Sequence, residues 1–144
     1  MKIISKMEIN YFRSVYSVTL PKNNDINVLI GGNDSGKSNI LKALNLFFNN
    51  QTELQTGFSF FSDLSRLREE QARATKGRAF LWTRITFNNF LKWKSLPEQF
   101  AVKKTWNRYD DQPVDTYPSG ISQSTIARFL NKIRVGSGQV TILK

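Results

Sequence analysis

The stretch that decides the fold is Gly31-Gly32-Asn33-Asp34-Ser35-Gly36-Lys37-Ser38, running on into Asn39-Ile40-Leu41-Lys42-Ala43-Leu44-Asn45-Leu46-Phe47-Phe48. The octapeptide satisfies G-x-x-x-x-G-K-[ST] at every fixed position. Gly31 and Gly36 allow backbone turns at which a Cβ would clash, so successive N–H groups can converge on phosphate oxygens. A helix beginning near Gly36 adds unsatisfied N–H groups and the positive end of its dipole. In this pattern Lys37 places an ammonium on the β- and γ-phosphates, and the Ser38 hydroxyl is a ligand for Mg²⁺. ATP or GTP with Mg²⁺ is therefore the expected ligand, held by Gly31, Gly32, Asn33, Asp34, Ser35, Gly36, Lys37 and Ser38.

A chance Gly/Ser turn would lack the flanks this pattern needs. Here Ile26 to Ile30 is a short, nearly continuous apolar run, as in a strand buried on both faces. After the loop, Ile40, Leu41, Leu44, Phe47 and Phe48 repeat at helical spacing to about Phe48, and Asn49-Asn50 ends the helix. Upstream, Lys2 to Ile9 reads as a strand with Ile3, Met7 and Ile9 on one face. Asn10 to Ser14 reads as a turn, Val15 to Leu20 as a second strand, and Pro21 to Asp25 as a turn cluster.

Downstream, residues 50–60 read as polar loop with Phe58 and Phe60 embedded. Ser62 or Asp63 is positioned to cap a helix to about Thr75, with Gly77 stopping it. Arg78 to Phe87 alternates as a strand, with Phe80, Trp82 and Arg84 on one side and Leu81, Thr83, Ile85 and Phe87 on the other. Gln99 to Tyr109 is a second extended stretch. Asp110 to Pro113 and Tyr117 to Gly120 are turns. A last helix is expected from Ser122 or Ser124 to Arg134, since Ile126, Phe129, Leu130 and Ile133 follow i, i+3, i+4 and i+7. The helical stripes read as core packing, and Val135 to Lys144 as a disordered or truncated tail. The expected class is α/β (α+β), a mixed β-sheet with flanking helices, forming one incomplete nucleotide-binding lobe over residues 1–144.

Composition narrows the chemistry. A chain of 144 residues with 11 Phe, 3 Trp and 4 Tyr is one domain or one lobe of a larger one, with enough apolar mass for a core. It has no Cys and no His, so Cys/His zinc sites, Ser-His triads and imidazole bases are excluded. Lys2, Lys6 and Glu8 interrupt any signal-like apolar run, and no stretch reaches membrane-spanning length. The expected location is cytoplasmic, with no membrane partner. The net charge of +10 suits a nucleic-acid partner, but equally a phosphate-binding lobe or an acidic protein surface. The basic residues Arg66, Arg68, Arg73, Lys76, Arg78, Lys92, Lys94, Lys103 and Lys104 are scattered rather than massed in one block.

With its flanks, the loop resembles the N-terminus of ABC-type P-loop ATPases of the RecF, structural-maintenance-of-chromosomes and OLD (overcoming lysogenization defect) group. The resemblance rests on Phe12-Arg13-Ser14 after the first strand, Gly36-Lys37-Ser38-Asn39, and the Ala43-Leu44 helix. It is specific over roughly the first 50 residues of the chain. Arg78 to Phe87, Gln99 to Tyr109 and Phe129 to Arg134 look most like OLD-like ATPases of bacterial anti-phage defence. The resemblance implies that Arg13 lies beside the nucleotide together with Asn39, although Arg13 also reads as a solvated turn residue. It implies a glutamine reaching Mg²⁺, for which Gln51, Gln55 and Gln71 are the candidates. A homo-oligomer or an intact ATPase relative would be the protein partner.

The pattern also lacks essential parts. An ATPase needs a carboxylate after a hydrophobic strand to hold Mg²⁺, and usually a second to polarise water. None of Glu8, Asp25, Asp34, Glu53, Asp63, Glu69, Glu70, Glu98, Asp110, Asp111 or Asp115 follows four apolar residues. Gly136-Ser137-Gly138-Gln139 follows a helix instead of preceding one, so it is no signature motif. The catalytic residues are therefore unknown, and hydrolysis by this chain alone is not expected. The alternatives are a lobe of a longer ATPase, a non-hydrolysing nucleotide-sensing or docking module, and a basic DNA-binding fragment with a vestigial loop. A small P-loop kinase is disfavoured, because about 25 residues of β structure precede the loop.

Overall fold

Strict alternation in Leu81-Trp82-Thr83-Arg84-Ile85-Thr86-Phe87-Asn88 organises the molecule: Leu81, Thr83, Ile85 and Phe87 are buried while the residues between them are only half covered. A period of two puts one side of this strand against a core and the other toward water. The computed structural model describes residues 3–20, 37–53, 56–110, 112–136 and 139–142. The first described strand is β1 (Ile4–Phe12), followed by β2 (Val15–Leu20), α1 (Lys37–Asn49), β3 (Gln51–Glu53) and β4 (Thr56–Gly57). Then come α2 (Phe60–Asp63), α3 (Arg66–Thr75), β5 (Leu81–Asn88), β6 (Gln99–Trp106) and β7 (Val114–Thr116). The remaining elements are α4 (Gln123–Leu130), β8 (Ile133–Gly136) and β9 (Gln139–Ile142).

Among the described residues, five strands make the central sheet in the order β2-β1-β5-β6-β7, each pair antiparallel. β3-β4 and β8-β9 are separate two-stranded ribbons. This is the mixed α+β class that the sequence predicts. The apolar run over Ile26 to Ile30 lies outside the described residues, as do Gly31 to Gly36.

One face of the sheet holds the core, in which Ile9, Leu81, Ile85, Phe87, Val102 and Trp106 are fully buried. α1 contributes Ala43, Leu44, Leu46 and Phe47, and α4 contributes Ile126 and Phe129. Phe129 is an aromatic hub, its ring centroid 4.9 Å from Phe90, 5.0 Å from Phe100, 5.8 Å from Trp93 and 6.1 Å from Phe87. The opposite face is polar. There Arg84 and Lys6 flank Glu8 at 3.6 and 3.8 Å, and Lys103 lies 4.3 Å above the Trp82 ring.

Several boundaries differ from the expected ones, each for a local reason. β1 does not turn at Asn10 but continues to Phe12, which is fully buried and pairs with Val15. Tyr11 and Tyr16 extend that ladder as a cross-strand ring pair at 5.2 Å. The helix expected from Ser62 or Asp63 is split into α2 and α3. Between them Leu64 bridges Phe12, and the N–H of Ser65 donates to the Tyr11 carbonyl. Residues there complete the end of β1 rather than a helical turn. α3 then ends at Thr75, with Lys76 rather than Gly77 in the left-handed region and the Gly77 N–H donating to the Ala72 carbonyl.

α4 starts where expected, since the Ser122 hydroxyl accepts from the Thr125 N–H. It stops at Leu130, because Ile133 and Arg134 enter β8 and pair with Ile142 and Thr141. The tail expected to lack organisation from Val135 onward thus contributes to a β ribbon. β7 was not expected: Val114 to Thr116, three residues between two turns, pairs with Lys103 to Thr105.

Candidate functional site

α1 begins immediately after the glycine-rich stretch, and its first turn contains no acidic residue. The positive end of the helix is thus not neutralised by its own side chains, which favours an anion there. Ser38 is exposed in that turn, so its hydroxyl is open to a ligand. Asn39 is half-buried, and its Nδ2 donates to the Ser14 Oγ at 2.8 Å. This bond fixes the first turn of α1 against the β1–β2 hairpin and brings the Phe12-Arg13-Ser14 element beside the helix that follows the loop. Two stretches distant in sequence but paired by the resemblance are therefore neighbours in space.

Arg13 is held from below. Its backbone is left-handed, with φ 50°, and its N–H donates to the Asp63 carbonyl. Its Nε and Nη2 both lie 2.9 Å from Asp63 Oδ1. The other carboxylate oxygen, Oδ2, accepts the Ser59 N–H at 2.8 Å, so Asp63 also secures the start of α2. The Asp63 side chain is 1% exposed and that of Arg13 23%. Arg13 is thus a partly exposed cation locked to a buried acid, close to the first turn of α1. It is an ion-paired turn residue rather than a freely solvated one. Sequence reasoning treated Asp63 as a helix cap and missed this pair, because no spacing rule connects residues 13 and 63.

A family model described as AAA ATPase domain matches residues 1–123. The chain belongs to that ATPase family. Its members are nucleotide-binding ATPases, and the matched span covers the phosphate-loop sequence, the Arg13–Asp63 pair and the central sheet. Over 44 residues the chain is 50% identical to an uncharacterized protein of Methanocaldococcus jannaschii. That stretch is 31% of this chain and 13% of the archaeal protein, so the chain spans only a small part of its relative's length.

The remaining parts expected of such an ATPase site are unevenly placed. Gln51 lies in β3, directly after α1 and opposite Gly57, and is half-buried. Gln71 lies on α3, where its Oε1 accepts the Tyr16 hydroxyl at 3.0 Å. Gln55 falls outside the described residues. Among the described residues, no group of three acids is placed to hold a metal ion. The exposed Ser38 hydroxyl fits one position on Mg²⁺.

Among the described residues, the titratable groups with displaced pKa values lie at the other end of α1. Burial pushes the Lys104 amine below its usual value, while the negative charge of Asp115 acts the other way. Its Nζ rests 5.0 Å from the Phe47 ring centroid. Tyr117 is pushed up to about 12, first by burial and then by the hydrogen bond it donates to Asp115 Oδ2 at 2.7 Å. These groups line or adjoin a cavity of about 290 Å³ beneath Phe47 and Asn50. They lie by the last turn of α1, away from the phosphate-loop end, and belong to the packing of β7.

Proposed function

We infer that this chain is the phosphate-binding half of an ATP site in an ABC-type ATPase. The carrying observation is the Gly31 to Ser38 sequence directly before α1, whose first turn is bonded through Asn39 to Ser14 beside the Arg13–Asp63 pair. In this reading Lys37 and the helix N–H groups bind the phosphates, Ser38 contributes one ligand to Mg²⁺, and Arg13 stands at the edge of the nucleotide. Bound Mg²⁺ would screen the phosphate charge. The carboxylates needed for turnover come from residues outside the described ones or from a partner, which is a second copy or an intact ATPase relative. The ABC-type assignment, and a role in DNA-related or anti-phage defence processes, rest on the resemblance of Phe12-Arg13-Ser14 and GKSN to the RecF, structural-maintenance-of-chromosomes and OLD group.

The test is ATP affinity measured by calorimetry in Mg²⁺ for the natural chain and for Lys37→Ala. Removal of a charge-assisted phosphate contact of about 2–3 kcal/mol predicts an affinity loss of roughly 30- to 150-fold. An unchanged affinity would sink the phosphate-loop reading. Robust hydrolysis by the natural chain alone would show instead that a complete set of catalytic acids is present.

A further inference from the structure

Four of the basic residues scattered along the sequence are brought together by the fold at one place. The end of α3, the approach to β5 and the exit from β6 enclose a groove of about 610 Å³. Arg73, Lys76, Arg78 and Arg108 line it together with Phe80 and Tyr109. Glu69 and Asp110 lie on the same wall. Glu69 is occupied by Arg73 at 2.8 Å, and Asp110 caps the Gln112 N–H. Lys76 and Arg78 have no acidic partner among the described residues, and Arg108 lies 5.6 and 5.7 Å from the Phe60 and Phe61 rings instead.

The exposed rings are what distinguish this groove from a simple basic patch. Of the rings that line it, Tyr109 is 91% exposed and Phe80 40%, and Phe61, 77% exposed, stands beside Arg108. Exposed rings interleaved with unpaired cations suit a chain that is both polyanionic and built of flat, stackable groups. A duplex hides its base faces, and an acidic peptide offers flat faces only where it carries aromatic residues, whereas a single strand offers one at every nucleotide. We propose that the groove between α3, β5 and the end of β6 binds single-stranded nucleic acid, with Lys76, Arg78 and Arg108 on phosphates and Tyr109 and Phe80 under bases. None of the residues lining the groove belongs to the Gly31 to Ser38 sequence, so the proposal is tested independently of the nucleotide reading.

The test is fluorescence anisotropy of a labelled twelve-nucleotide oligothymidylate with the natural chain, without ATP, at several salt concentrations. Three phosphate contacts predict a slope of log affinity on log salt near −2, at about 0.7 per contact on a single strand. Tyr109→Ala should weaken binding about tenfold through lost stacking. Arg78→Glu combined with Arg108→Glu should abolish it while leaving ATP affinity intact. These side chains are exposed, and an unchanged circular dichroism spectrum would confirm that the variants fold. No binding by the natural chain at low salt would overturn the proposal, as would an undiminished affinity in the double variant. Equal competition by polyglutamate would assign the groove to an acidic protein instead. Equal binding of duplex, with Tyr109→Ala silent, would likewise refute the single-strand assignment.

Discussion

Arg13→Ala should destabilise the chain more than Asp63→Ala, although the two substitutions break the same pair. Asp63 is 1% exposed, and its side chain has two partners, the Arg13 guanidinium and the Ser59 N–H. Arg13 is 23% exposed and has a route to water. Removing Arg13 leaves a carboxylate charge buried against a single N–H. Breaking a fully buried pair in this way costs about 3–5 kcal/mol, and the partial exposure of Arg13 lowers the expectation to about 3 kcal/mol. Removing Asp63 instead leaves an arginine that can rotate into solvent, together with one unsatisfied N–H, at a cost of about 1–2 kcal/mol.

In a chain of 144 residues each kcal/mol lowers Tm by about 2–4 °C, so Arg13→Ala should fall by about 6–12 °C and Asp63→Ala by about 2–8 °C. Urea titrations of both single variants and of the double variant would measure the costs and the coupling between the sites. The double variant should be no worse than Arg13→Ala, because the stranded charge is gone. If Asp63→Ala proves the more damaging, or if both cost under about 0.5 kcal/mol, the pair does not fix this end of β1 in the way described.

Two further perturbations test other parts of the structure. Phe129→Ala removes the ring on which four aromatic neighbours converge from a fully buried position; it should cost about 3–5 kcal/mol in urea unfolding, and a loss below about 1 kcal/mol would deny Phe129 its central place. Tyr117 keeps its proton in the folded chain up to about 12 but loses it near 10.0 when unfolded, so its contribution is complete below pH 10.0 and lost as pH rises toward about 12. Tyr117→Phe should therefore flatten the alkaline fall in stability over that window, and an identical pH profile in the variant would contradict the assignment. Lys104 acts in the opposite sense below its ordinary value of 10.5, its lowered pKa adding stability as pH rises, so the two residues are separable by their pH ranges.

What the sequence disclosed and what it hid follow from the range of the interactions. The alternation of β5 and the helical spacing of Leu44 with Phe47 and of Ile126 with Phe129 are local periodicities, so these residues were legible as core faces, whereas Leu41, expected in the α1 stripe, is 43% exposed and Ala43 and Leu46 are buried instead. The Ser122 cap was legible for the same reason, since a hydroxyl three residues from its N–H partner is a local event. The split between α2 and α3 was not legible, because it depends on Leu64 and Ser65 bonding to Phe12 and Tyr11 some 50 residues earlier. β7 was hidden by its length of three residues, too short to show a period, and is held by the partner strand. At the candidate site the phosphate-loop pattern was legible, while the anchoring of Arg13 by Asp63 was not. The basic groove was likewise invisible in a list of scattered Lys and Arg positions, because it exists only once α3 and β6 are brought together.

The hydrogen bond between Asn39 and Ser14 has a consequence in polymer terms. It joins residues 25 apart, so the stretch between them, which contains β2 and the whole Gly31 to Ser38 octapeptide, is a loop with its ends tied. Closing a free segment of that length costs entropy that grows only as the logarithm of its length. Here the ends meet through folding, and a nucleotide arriving at the octapeptide need not bring them together. Cutting the tie with Ser14→Ala would therefore weaken nucleotide binding without removing any atom that touches the nucleotide, and the loss would appear in the entropy of binding rather than in its enthalpy.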